Sequence, residues 1–367
     1  MTTMKSTQAT SWLKRTIGVN IKSDSVDLLG FDEISGRRFL RSVAGEALPS
    51  GAVERGNIKD ASAVAAALET ARRKAEPRRV GKNLPAVCAL PEEKTFVRVI
   101  ALPRMNDEKT AEAIKWEMEA YIPMSPQDMV YDWRSVPAGE DKSGEMKVLV
   151  IAAPRTVVAD YCRVLKEASL SPAIMEPTSL AQIRALRGQW AEDESVMILS
   201  CDKRAAHLAV VVNGEVLLFT AGIPVGPDGF EADVSRSLGV SAVEAREIVS
   251  TEGIGSYLHP DPLFRALEPS LKLLTKELAG SRNFCETTLP LCGQISKVIL
   301  VGPGAELKGL RSYLTSVLGL PVSWGDPWAA TGMELTDYLP RLSREESLSR
   351  LTTIGLALKK ITYEDFD

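Results

Sequence analysis

The chain repeats its own layout, and that duplication limits the folds open to it. A β-rich segment runs from Thr16 to Leu48 and a second from Val196 to Val225, each a series of apolar strands with turn signals, each followed by helix-like sequence. Both segments open on a strand, a polar turn and a second strand: IGVNIKSDSVDLL from Ile17 to Leu29, and VMILSCDKRAAHLAV from Val196 to Val210. A length of 367 residues exceeds what one core comfortably serves, and 45% hydrophobic residues suffice for two cores. The expectation is two α/β domains of related construction.

With a formal net charge of -4 and 25% charged residues, nothing suggests nucleic-acid binding. The basic runs Arg72-Arg73-Lys74 and Arg78-Arg79 read as solvated helix ends. Five cysteines, Cys88, Cys162, Cys201, Cys285 and Cys292, are widely spaced, with no CxxC pair, and read as buried thiols rather than disulfides or metal ligands. The longest apolar runs, Val148 to Ala153 and Leu208 to Val212, are strand-sized, and no signal peptide is evident. The chain is therefore expected to be cytoplasmic, reaching a membrane only through a partner.

Along the chain, residues 1–15 read as a tail anchored by Trp12 and Leu13. Strands are expected at Ile17–Asn20, Val26–Phe31 and Phe39–Ala44, then a helix over Ala61–Arg73 capped by Asp60, and a buried strand Ala86–Leu90. A distinct βαββα module follows: strand Phe96–Ala101, helix Asp107–Tyr121, a proline-rich exit, strand Met129–Ser135, a polar turn Ala138–Lys147, strand Lys147–Ala152 and helix Pro154–Ala168. It interrupts the fold before Ala173–Glu176. His207 and His259 have no ligand or nucleophile partner at useful spacing and read as structural. Gly302-Pro-Gly lacks the ending of a P-loop.

Several segments together resemble the PilM family of actin-like type IV pilus assembly proteins, which is similar to the division protein FtsA. They are Arg98 with Leu102-Pro103, the helix ending Trp116-Glu117-Met118-Glu119-Ala120, then Tyr121-Ile122-Pro123, Asp132, Val148 to Pro154, and Leu165 to Glu176-Pro177. Val298 to Leu310, Leu318 to Val322 and Asp326-Pro327 complete the match, which spans about Ile17 to Leu358. The resemblance implies an α/β actin-like fold, ribonuclease H-like and duplicated. Subdomain 1A would take residues 16–95 and 171–194, an inserted 1C 96–170, 2A 195–228 and 290–367, and 2B 229–289. It implies a scaffold that binds the cytoplasmic N-terminal segment of a PilN-like bitopic inner-membrane protein, with pilus motor ATPases as further partners. Arg98, Leu102, Tyr121 and Ile122 would border the groove for that segment.

The same resemblance places a nucleotide between two phosphate turns, and there the residues depart from the pattern. Asn20-Ile21-Lys22 stand where the family has Asp-Ile-Gly, with Ser23 following in the same turn. A neutral amide orders hydrated magnesium poorly, and a lysine at a positive φ would cost about 1–2 kcal/mol. Ser200-Cys201-Asp202 stands for Asp-x-Gly, so Asp202 would repel phosphate. Gly226-Pro227 lacks one backbone donor, and Arg246 falls in the nucleoside-facing motif. Only Gly302, Pro303, Gly304 and Ala305 keep their small-residue character. A site of this kind is expected to be degenerate, with no cofactor and no catalytic residue. Residual binding of ATP and magnesium through Lys22, an active actin-like ATPase, and the platform protein of a type II secretion system remain alternatives. The last normally continues into a transmembrane helix, and this sequence has none.

Overall fold

The computed structural model describes residues 15–35, 37–122, 124–136, 145–254, 261–289, 291–333 and 342–361. Trp12, Leu13, His259, most of the 138–147 turn and the side chain of Tyr121 lie outside that description. Two compact units result.

The first unit opens with β1 (Ile17–Ile21), β2 (Ser25–Ile34), β3 (Arg37–Ala47), β4 (Val53–Glu54), β5 (Asn57–Ile58), α1 (Ala61–Lys74), β6 (Glu76–Pro77) and β7 (Leu84–Leu90). It continues through β8 (Phe96–Pro103), α2 (Asp107–Tyr121), β9 (Met129–Val136), β10 (Glu145–Pro154), α3 (Arg155–Glu167), β11 (Leu170–Pro177) and α4 (Thr178–Leu186). Its main sheet has the order β11-β7-β1-β2-β3-β6, and the inserted strands form their own sheet, β8-β10-β9. The second unit contains β12 (Ser195–Cys201), β13 (Ala206–Val212), β14 (Val216–Ile223), α5 (Pro227–Leu238), α6 (Ala242–Thr251), α7 (Pro262–Thr288), β15 (Ile295–Val301), α8 (Leu310–Leu318) and β16 (Val322–Trp324).

The duplication is borne out strand by strand. In the second sheet the order is β14-β13-β12-β15-β16, which repeats β3-β2-β1-β7-β11 of the first. In both, the opening hairpin is antiparallel and the fourth strand pairs parallel with the first. The hairpins even share their offset: Asn20 faces Asp27 and Ile21 faces Val26, as Ser200 faces His207 and Cys201 faces Ala206.

Helix α1 begins where expected, the Asp60 carboxylate accepting from the Ala63 N–H at 2.9 Å, and it ends on Arg72, Arg73 and Lys74. Arg73 and Lys74 are solvated as expected and pair with Glu69 and Glu46, whereas Arg72 is buried, pairing with Glu69 and donating to the Val80 carbonyl at 2.9 Å. Ile17, Val19, Val26 and Leu28 pack with Val64 and Leu68 of α1 and with Tyr161 and Leu165 of α3. Helix α3, which the sequence attaches to the inserted module, thus fills the main core, because Val157, Tyr161, Val164 and Leu165 present one apolar stripe to it. The module's own core is Ile100, Leu102, Ile114, Met118, Ile122, Met129, Val148 and Val150.

A second difference concerns residues 290–367, expected in the second domain. The structure returns the chain to the first unit with α10 (Leu351–Ala357), after α9 (Arg344–Ser349) has packed with the second. Every residue of α10 is buried. The contact is backbone on backbone: a Cβ on Gly18 of β1 would stand 2.5 Å from the Thr353 carbonyl oxygen, and one on Gly355 would collide with that of Ala181.

Candidate functional site

The two turns assigned to phosphates close on themselves. In the first, the Lys22 N–H donates to the Ser25 carbonyl at 2.8 Å, and in the second the Asp202 N–H donates to Ala205 at 3.1 Å. Each turn therefore uses a donor that an anion would need. Lys22 is not among the residues with positive φ, so the strain expected of a lysine there does not arise. Asn20 is buried, Ser23 half-buried, and Lys22 turns its ammonium onto the Asp27 carboxylate at 2.6 Å. Asp27 lies directly across the hairpin from Asn20, is almost wholly buried, and has the Arg350 guanidinium 3.9 Å from its other oxygen. The point charge left as a possible phosphate ligand is thus held by a carboxylate of its own hairpin.

In the second unit Asp202, Gly226, Gly302 and Gly304 do come together, but against one another. A Cβ on Gly226 would stand 2.5 Å from the Asp202 carbonyl oxygen and 2.8 Å from that of Lys203. Gly302 (φ 83°) approaches the backbone of Cys201 equally closely, and Gly304 abuts the Pro227 ring and the Cys201 side chain. The glycines are small because protein backbone fills the space. Pro227 is the first residue of α5, where its missing N–H costs nothing, and the next three donors are taken: Asp228 by the Lys203 carbonyl, Gly229 and Phe230 by that of Gly226. Ser200 is buried, its hydroxyl 3.5 Å from the Asp202 carboxylate. Burial beside Asp202 pushes the Cys201 thiol up to about 12, so it is no nucleophile. Ala305 is buried and its carbonyl accepts from the Trp324 indole at 3.3 Å.

Beside these turns an open cavity of about 510 Å³ is lined by Lys203, Asp228, Glu231, Arg236 and Arg246 among others. Arg246 spans from α6 to Glu231 of α5 at 3.1 Å. Among the described residues no cluster of histidine, cysteine, aspartate or glutamate could hold a metal ion. The cysteines are free thiols, with Cys162 and Cys292 half-buried rather than buried as expected.

The inserted module differs from its expected lining. Strand alternation places Arg98, Ile100 and Leu102 on the side of the sheet that faces α2, and Leu102 and Ile122 lie in the module's core. Arg98 is exposed at the start of β8. The opposite side of the sheet carries Val97, Val99, Leu149 and Ile151, and Ala153 on that side joins the main core. Its rim on β9 is Val130, Asp132 and Arg134, all exposed, lying across from Ala153, Ile151 and Leu149.

The family model for type IV pilus assembly protein PilM matches residues 18–361. The chain belongs to the PilM family. Among solved structures it resembles a PilM-PilN type IV pilus biogenesis complex at 25% identity, with a TM-score of 0.78 over 94% of this chain and 97% of that one. More distant likenesses show the actin-like fold alone. One is the ethanolamine utilization protein EutJ from Carboxydothermus hydrogenoformans, at 15% identity and TM-score 0.54 over 94% and 89%. Another is MreB5 of Spiroplasma citri bound to AMPPNP, at 14% and 0.52 over 87% and 93%. No helix among the described residues is long and apolar enough to cross a membrane.

Proposed function

We propose that this PilM-family protein is a cytoplasmic scaffold of type IV pilus assembly that holds the N-terminal segment of a PilN-like bitopic inner-membrane protein and links it to the pilus motor without turning over nucleotide. The observation that carries the partner is the near-complete match to the PilM-PilN complex. The first unit offers a candidate place on the side of the β8-β10-β9 sheet away from α2, where the exposed Val130, Asp132 and Arg134 lie beside the half-buried Val99 and Ile151, while Leu149 and Val97 are buried beneath them. A peptide docking there needs few apolar anchors and one or two polar fixers. Membrane attachment then comes through the partner.

The nucleotide half of the reading rests on the closed turns and on the Lys22–Asp27 pair. Calorimetry with a peptide covering the partner's cytoplasmic segment tests the first half. Val130→Glu with Arg134→Glu is expected to weaken binding more than about tenfold, which is about 1.4 kcal/mol, while Asn20→Ala leaves it unchanged. The reverse pattern would replace the scaffold with a nucleotide-driven mechanism.

A further inference from the structure

Helix α2 presents an indole to solvent that the fold does not use. Thr110, Ile114 and Met118 form its buried stripe, while Trp116 on the other side is 75% exposed. One turn before Trp116 lies Glu112 and one turn after it Glu119, with the half-buried Glu117 and the exposed Lys115 beside it, so the carboxylates outnumber the cation three to one. Acidic residues near a helix C-terminus oppose the macrodipole, and the last turn has no basic residue to offset them. Among the described residues none of the three carboxylates forms an ion pair. A helix end arranged against its own stability, around a bare tryptophan, marks a surface selected for something other than folding.

We propose that this face of α2 docks an arginine- or lysine-rich segment of another protein, a cation stacking on the Trp116 ring between the carboxylates of Glu112 and Glu119. Tryptophan is the strongest side chain for such contacts, and the flanking negative charge selects for the cation. The same chain already uses the geometry elsewhere: Arg311 and Arg344 sit 4.2 and 4.0 Å from the ring of Trp324. The surface is distinct from the groove for the PilN-like segment, since α2 covers the other side of the module's sheet, so both can be occupied together.

The test uses the full chain and a fluorescein-labelled oligoarginine peptide, followed by anisotropy at low and moderate salt. Trp116→Ala and the pair Glu112→Gln with Glu119→Gln are each expected to weaken binding by roughly tenfold. The exposed control pair Glu252→Gln with Glu277→Gln, on the second unit, should change it less than about twofold. Trp116→Phe, which keeps an aromatic face, should retain part of the affinity and guards against a misfolded alanine variant. Equal losses from the control pair, or full binding by Trp116→Ala, would overturn the proposal in favour of general acidity. Sedimentation of the chain alone supplies the other decisive outcome: self-association abolished by Trp116→Ala would assign the face to a second copy instead.

Discussion

Replacing Lys22 by methionine removes the cation 2.6 Å from Asp27 while keeping the length of the side chain. Breaking a buried ion pair by deleting one partner costs about 3–5 kcal/mol. Asp27 is 6% exposed but Lys22 is 29% exposed, and Arg350 stays at 3.9 Å, so solvent and a second cation reduce the loss. About 1.5–3 kcal/mol is expected for Lys22→Met. The double variant Lys22→Met with Asp27→Asn should recover part of it, because the buried charge goes with its partner. Chemical denaturation of the four proteins in the cycle would give a coupling energy of about 1–2 kcal/mol. Added Mg-ATP should change none of the four midpoints. A coupling below about 0.5 kcal/mol would mean that Lys22 is not committed to Asp27, and stabilisation of the wild type by Mg-ATP would mean that it serves phosphate.

Gly226→Ala should cost about 2 kcal/mol from the clash with the 202–205 turn and lower the midpoint of thermal unfolding by about 4–8 °C. Unfolding scans check it, and a neutral substitution would show that the turn can move. Glu69 is held at about 2, first by its hydrogen bond to Arg72, so its stabilisation is present above the unfolded carboxylate range and is lost as pH falls toward 2. Glu69→Gln should therefore be less stable than wild type by about 1 kcal/mol at pH 7, with the gap closing between about pH 4.5 and 2. Denaturation at several pH values would refute this if the gap stayed constant. The Cys285 thiol donates to Cys292, raising its own titration range and lowering that of Cys292, while burial raises the other three. Cys292 should alkylate first with iodoacetamide, as peptide mapping would show, and preferential labelling of Cys162 would contradict it.

The elements most legible in the sequence were those with local punctuation. Helix α2 matched its expected bounds because the Asn106 side chain caps it and Pro123 follows it. The two hairpins were legible because period-two runs flank polar turns. What escaped depended on register and packing. Asp27 becomes the partner of Lys22 only once the hairpin register sets it opposite Asn20. Leu102 and Ile122 belong to a motif, but their burial follows from the packing of α2 on a sheet not yet assembled on the page of sequence. Gly226 and Gly302 looked like relics of phosphate binding, yet each is required by a backbone that passes within van der Waals distance.

The return of α10 to β1 sets an order of events during synthesis. Gly18 leaves the ribosome early, whereas Thr353 and Ala357, which cover it, are more than three hundred residues later and emerge only after tens of seconds. Residues 188–326 form one continuous stretch and can close their core meanwhile. The first-made strand is thus completed last, and until then the face at Gly18, Val87 and Ala89 is an apolar surface open to chaperones, with the slow closure that contacts of such high order bring.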